Sequence, residues 1–194
     1  MKEVIKEIII TILMALVIYF LLQFVVQFKP VLGSCMEPTL QTSGQRIIIS
    51  RVAYWFHDPQ RGDIITLHPP VQSSKDFIKR IVGLPGETVE VRQGKVYING
   101  IPLDEPYVKK SFTYSMDPIK IPEGHYFVLG DNRDIASDSH VWGTITRSEI
   151  VGKAWITYWP PSKWGLIPHY QFPDVKDTSN SSAENAMGKT AYIP

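Results

Sequence analysis

Two side chains in this sequence could do chemistry on a carbonyl carbon, the thiol of Cys35 and the amine of Lys79. Cys35 is the only cysteine in 194 residues, which excludes an intramolecular disulfide and a cysteine-based zinc site. A lone thiol is commonly a small buried hydrophobe. This one sits in an unusual setting, Gly33-Ser34-Cys35-Met36-Glu37-Pro38-Thr39-Leu40. Gly33 permits close approach of a second backbone. Pro38 stiffens the segment, and Met36 and Leu40 supply apolar anchors. The backbone N–H of Cys35 is a natural oxyanion donor, with Gly33, Ser34 and Met36 beside it as the substrate-binding surface. Lys79 lies in Phe77-Ile78-Lys79-Arg80-Ile81-Val82-Gly83. In a strand, side chains alternate faces, which puts Phe77, Lys79 and Ile81 together. A lysine between Phe and Ile loses hydration, which disfavours its charged form. An uncharged lysine can act as a general base. A nucleophile beside such an amine is the arrangement of covalent acyl transfer. A third stretch, Gly130-Asp131-Asn132-Arg133-Asp134 followed by Ser137-Asp138-Ser139, would wall the pair in.

The elements that must position these residues can be read from pattern. Residues 8–28 are apolar except for Thr11, Gln23 and Gln27 and carry no charge. As a helix they would be about 31 Å long, enough to cross the hydrocarbon core of a bilayer. Lys2 and Lys6 stand in the flank 1–7, with Glu3 and Glu7, and Lys29 follows; lysines ahead of the span favour a cytoplasmic N-terminus. Beyond it the composition turns to β. Short strands are predicted at 46–50, 64–67, 76–82, 125–129 and within 150–159, and a hairpin at 88–92 and 95–98 turns at Gln93-Gly94. Residues 102–122 read as a looser excursion between core strands. The tail from 173 is rich in Ser, Asn, Asp and Lys, a composition that predicts disorder. Tyr54-Trp55-Phe56 and the tryptophans at 159 and 164 suit either core packing or a lipid interface.

A net charge of +1 gives no reason to expect nucleic acid. The five histidines are scattered and form no metal-binding pattern.

Four segments, in this order, resemble those of the type I signal peptidases, the Ser/Lys proteases that cut signal peptides from exported proteins. Residues 35–40 are similar to the family's Ser-Met-x-Pro-Thr-Leu, with Cys35 in place of the nucleophilic Ser. Arg61-Gly62-Asp63 is similar to the strand-entry box. Residues 78–86 look like the lysine segment almost residue for residue. Gly130-Asp131-Asn132-Arg133 with Asp138-Ser139 resembles the closing loop. The resemblance spans about residues 33–165, and the single anchor looks like the Gram-positive type.

The resemblance implies a mainly β fold, a folded sheet or barrel over residues 30–170, behind one N-terminal transmembrane helix at 8–28. Residues 84–125 would be partly a smaller cap. Cys35 would be the nucleophile and Lys79 the base, supported by Arg80, Asp131, Arg133, Ala136, Ser137 and Asp138, with Arg80 and Arg133 paired to Asp131 or Asp138. The substrates would be preproteins with small residues at the first and third positions before the cut. No metal or cofactor is implied. The catalytic domain would lie on the outer face of the cell membrane, in contact with the bilayer and the protein export machinery.

This sequence departs from the family at several positions. Ala136 stands where a Ser usually orients the lysine, with Ser137 one residue off. His140 replaces the usual Arg, and Gly33 stands where some members have Ser. A thiol ionises more readily than an alcohol, so Cys35 beside Lys79 could hand over its proton before substrate arrives. These departures lead to a weakened enzyme, or to a non-catalytic relative that binds signal peptides. Leu32-Gly33-Ser34-Cys35 also resembles a lipobox, which would make the chain a lipoprotein lipidated at Cys35.

Overall fold

The computed structural model describes residues 2–170, 172, 173 and 175. Of the polar tail from 173, all but residues 173 and 175 lies outside the described residues. The chain opens with helix α1, Lys2–Val25, whose described side chains are exposed up to Phe24. It is long and apolar enough to cross a membrane. The apolar run predicts helix through residue 28, but the helix stops at Val25 and Val26–Pro30 form strand β1. Pairing explains the change. β1 lies antiparallel to β2, Arg46–Ser50, with Phe28 opposite Ile48. The Arg51 N–H donates to the Val25 carbonyl at 2.9 Å. Phe24 meets Trp55 edge-on at 5.5 Å, and Phe28 meets Tyr158 in the same way at 5.5 Å. Pro30, which has no N–H, ends β1 at the sheet's edge, where a missing donor is tolerated.

The remaining strands are β3 (Ile64–Leu67), β4 (Phe77–Gly83), β5 (Thr88–Arg92), β6 (Lys95–Ile98), β7 (Ile101–Pro102), β8 (Met116–Lys120) and β9 (His125–Leu129). Helix α2 (Ser139–Trp142), β10 (Ile145–Thr146), β11 (Ile150–Trp159) and β12 (Gly165–Leu166) follow. The main sheet runs β1-β2-β11-β3-β4-β9-β10, with β12 beside β11. A smaller sheet runs β7-β6-β5-β8. All pairs are antiparallel. β11 bends across the main sheet, its first residues on β3 and its later ones on β2, with register shifts between. Such irregularities curl a sheet. The fold is mainly β, as expected. The excursion is more ordered than its composition suggests, because it supplies β7 and β8. Pro118 breaks the alternation of β8 and confines it to an edge.

Three apolar cores divide the work. One joins the small sheet to Val82, Phe127 and Leu129. A second holds Ile65, Leu67, Ile81 and Val128. The third packs Val31, Met36, Leu40, Ile47, Ile49 and Ile64, with Cys35 and Ile78 against it. β4 lies between β3 and β9 and contributes to all three cores, so its side chains are packed on both faces of the sheet.

A polar cluster ties β1 to the start of β4. Lys29 Nζ and His68 Nδ1 each lie 2.7 Å from the Asp76 carboxylate. Burial pushes the Asp76 carboxyl up, but the hydrogen bond and charge of Lys29, aided by His68, outweigh it and hold it below the ordinary carboxylate range. A depressed carboxyl stabilises the fold above its unfolded pKa, and that contribution is lost as pH falls through the folded one. Asp76→Asn is therefore expected to lower the urea midpoint at neutral pH. The gap from wild type should close as pH is lowered from about 5 to about 2.

Candidate active site

The turn carrying Cys35 is held from below. Met36 and Leu40 are each 1 % exposed, and the Leu40 N–H donates to the Met36 carbonyl at 2.8 Å. Met36 is thus an anchor within the core beneath the turn. Gly33, at φ +79°, turns the chain in open space, a conformation suited to glycine. Cys35 is half-buried, with its thiol 3.7 Å from the Ile78 carbonyl, within reach of a weak S–H···O bond. Lys79 follows Ile78 in β4 and is 2 % exposed. It pairs in register with Ile65, and its Nζ lies 5.7 Å from the centre of the Phe77 ring. Among the described residues Lys79 Nζ has neither a hydrogen-bond nor an ion-pair partner. Cys35 and Lys79 line one cleft of about 470 Å³, together with Pro30, Leu32, Gly33, Thr66, Ile78 and Ser137, and with Lys29 and Asp76.

The loop 130–138 closes over the turn from the other side. The Asn132 N–H donates to the Cys35 carbonyl at 2.9 Å, and its Nδ2 donates to the Ser34 carbonyl at 3.2 Å. Gly130 permits this approach, because a Cβ there would lie 2.7 Å from the Cys35 carbonyl oxygen and 2.6 Å from the Ala136 methyl. Asp138 holds the loop's far end, accepting from the Gly130 N–H at 2.9 Å and from His140 Nδ1 at 2.6 Å. Ala136 is buried and Ser137 is exposed at the cleft.

Arg80 and Asp131 lock β4 to the loop. Arg80 Nε and Nη2 reach the two carboxylate oxygens at 2.8 and 2.7 Å, and Nη1 donates to the Gly62 carbonyl at 2.8 Å. Burial works against the Arg80 charge, but the Asp131 hydrogen bonds and charge outweigh it, so its pKa is raised. Arg133 turns away from Asp131 and Asp138. Its Nε donates to the Gly130 carbonyl at 3.0 Å and its guanidinium grips Glu105, with Nη1 at 2.9 Å. The excursion is thereby bound to the loop.

The family described as signal peptidase, peptidase S26, matches residues 1–159. The chain belongs to this signal peptidase family. It is 42 % identical over 153 residues to the probable signal peptidase I-1 of Synechocystis sp., covering 75 % of this chain and 78 % of that one. It is 42 % identical over 139 residues to the signal peptidase I of Leptolyngbya laminosa, 68 % of each chain. A crystal structure of a signal peptidase I from Enterococcus faecalis V583 is 36 % identical, covers 50 % of this chain and 96 % of that one, and has a TM-score of 0.45. Within this signal peptidase, sequence pattern places Asn132 in the closing-loop motif but assigns it no role of its own, and it does not mark Glu105 at all. Both act on residues far away in the chain, which local spacing does not reveal. Asn132→Ala removes the Nδ2 bond to Ser34 and leaves the backbone N–H bond to Cys35, so the Cys35 turn is held by one clamp instead of two. It is expected to lower kcat by about 10- to 100-fold with KM little changed, which steady-state cleavage of a preprotein would show.

Proposed function

We propose that the chain is a membrane-anchored endopeptidase that removes N-terminal signal peptides from exported preproteins, with Cys35 as nucleophile and Lys79 as base. The observation that carries this is the meeting, in one apolar cleft, of the only thiol and a buried lysine without a counter-ion. The substrate lies extended in the cleft. Cys35 Sγ attacks the scissile carbonyl and its proton passes to the Lys79 amine. The developing oxyanion takes the Cys35 N–H, which has no protein acceptor among the described residues. The C–N bond then breaks, the Lys79 ammonium returns the proton to the leaving amine, and a thioester remains. Water, deprotonated by Lys79, hydrolyses the thioester and restores the thiol. Gly33 and Ser34 border the acyl group, and the chemistry asks for no metal or cofactor.

The exposed apolar helix α1 and the exposed Trp55, Phe56, Trp159 and Trp164 support a single span with aromatic contacts at the lipid surface. The N-terminus is placed in the cytoplasm and the β domain on the outer face of the cell membrane, near the export machinery. The Gram-positive-like single anchor belongs to the same proposal.

The test is cleavage of a purified preprotein in detergent micelles by wild type, Cys35→Ala and Cys35→Ser. Product from wild type or the Ser variant, absent with Ala, is expected. A second reading, a non-catalytic relative that binds signal peptides, is favoured by Ala136, which leaves a buried methyl where a hydroxyl could orient Lys79. Binding without turnover by any variant would select it. Lipidation at Cys35 would require cutting before Cys35, which strips β1 from the sheet; an unmodified intact mass rules it out.

A further inference from the structure

The turn that carries Cys35 contributes to two concavities. The larger is the apolar cleft holding Lys79, bordered by Lys29 and Pro30 of β1. The smaller, of about 220 Å³, is lined by Glu37 and Pro38 of the nucleophile turn, Asp131 and Asn132 of the closing loop, and Lys109 and Lys110 of the excursion. Asn132 joins the two, since it lines the smaller pocket and holds the carbonyls of Ser34 and Cys35. A peptide crossing Cys35 with its scissile carbonyl at Sγ puts the residues before the bond in one concavity and those after it in the other. β1 runs straight from α1 into the wall of the larger cleft, so a substrate segment rising from the membrane lies there. The residues after the bond enter the smaller pocket.

We propose that this smaller pocket is the leaving-group site, and that it selects acidic residues within the first few positions of the released protein. The proposal rests on the endopeptidase reading. Its charges are unevenly committed. Asp131 is occupied on both oxygens by Arg80. Arg133, next to Asn132, is occupied by Glu105. Glu37 accepts from the neutral Thr42 Oγ1 at 2.9 Å and lines the same pocket. Lys109 and Lys110 are exposed and have no ion-pair partner among the described residues. With Asp131 neutralised by Arg80, the two lysines outweigh the single carboxylate of Glu37, and the pocket presents an excess of positive charge that favours carboxylates and repels lysine or arginine.

The experiment is equilibrium binding of a fluorescently labelled preprotein to the full chain carrying Cys35→Ala in detergent micelles, so that turnover plays no part. The preprotein carries Asp-Glu or Lys-Lys at the second and third positions after the cut. At about 50 mM salt the acidic form is expected to bind about fivefold more tightly, with the ratio falling toward one at about 0.5 M salt. Lys109→Glu combined with Lys110→Glu should invert the preference. Both lysines are exposed, so the melting curve should be unchanged. Equal binding of the two preproteins, or a preference that survives charge reversal, overturns the leaving-group site alone. Failure of both preproteins to bind overturns it together with the endopeptidase reading.

Discussion

Lys79→Met is expected to reduce preprotein cleavage by about 10²- to 10⁴-fold, the usual contribution of a positioned base, while leaving the fold at least as stable. The two halves of this result belong together. Lys79 is 2 % exposed, lies beside Phe77, and has no partner for its amine among the described residues. Burying an unpaired amine is unfavourable. Methionine has a similar length, bends to fill irregular space and carries no charge. A structural lysine would behave in the opposite way, with activity and stability falling in parallel. Cleavage assays and urea midpoints measured in the same detergent distinguish the two cases. Cleavage retained in Lys79→Met would remove Lys79 from the role of base, and a loss of activity no larger than the loss of folded protein would make it structural.

Arg80→Met is expected to destabilise the protein by about 3–5 kcal/mol, the cost typical of breaking a buried ion pair from one side. Arg80 is fully buried and its guanidinium lies 4.0 Å above the Tyr107 ring. Without it the Asp131 carboxylate, 2 % exposed, has no counter-charge. Arg80→Lys should rescue little, because an ammonium offers neither the forked pair of hydrogen bonds nor the flat face on Tyr107. Replacing both partners, as Arg80→Met with Asp131→Leu, should cost less than the sum of the single changes. Urea unfolding of the four proteins measures this coupling. Near-additive losses would show that the pair contributes little as a pair.

The legible parts of this molecule are those where local pattern and tertiary demand agree. The alternation in residues 77–83 marks a strand and places Lys79 on the face of Phe77 and Ile81, and β4 has that arrangement. The Gln93-Gly94 turn also reads directly, since both residues adopt positive φ, 50° and 70°. β1 could not be read, because hydrophobicity does not separate the end of an apolar helix from an apolar strand that continues it. β8 was hidden by Pro118. In the site, the resemblance pointed to Cys35, Lys79 and the loop 130–138. It could not show that Arg133 would turn to Glu105, 28 residues away, or that Asn132 would reach back 98 residues to Ser34. Such pairings depend on how separate elements meet, and local spacing carries no record of them.

The direct passage from α1 into β1 has a mechanical consequence. No flexible linker separates them, and the last carbonyl of the helix is bonded to Arg51. Five strand residues, at about 3.3 Å each, and the short turn 31–34 that follows them set the height of the Cys35 sulfur above the end of the helix. On the membrane-anchored reading the enzyme is a depth gauge. It measures a fixed length of polypeptide out from the bilayer, so the bond it reaches is chosen by distance as well as by the side chains around it.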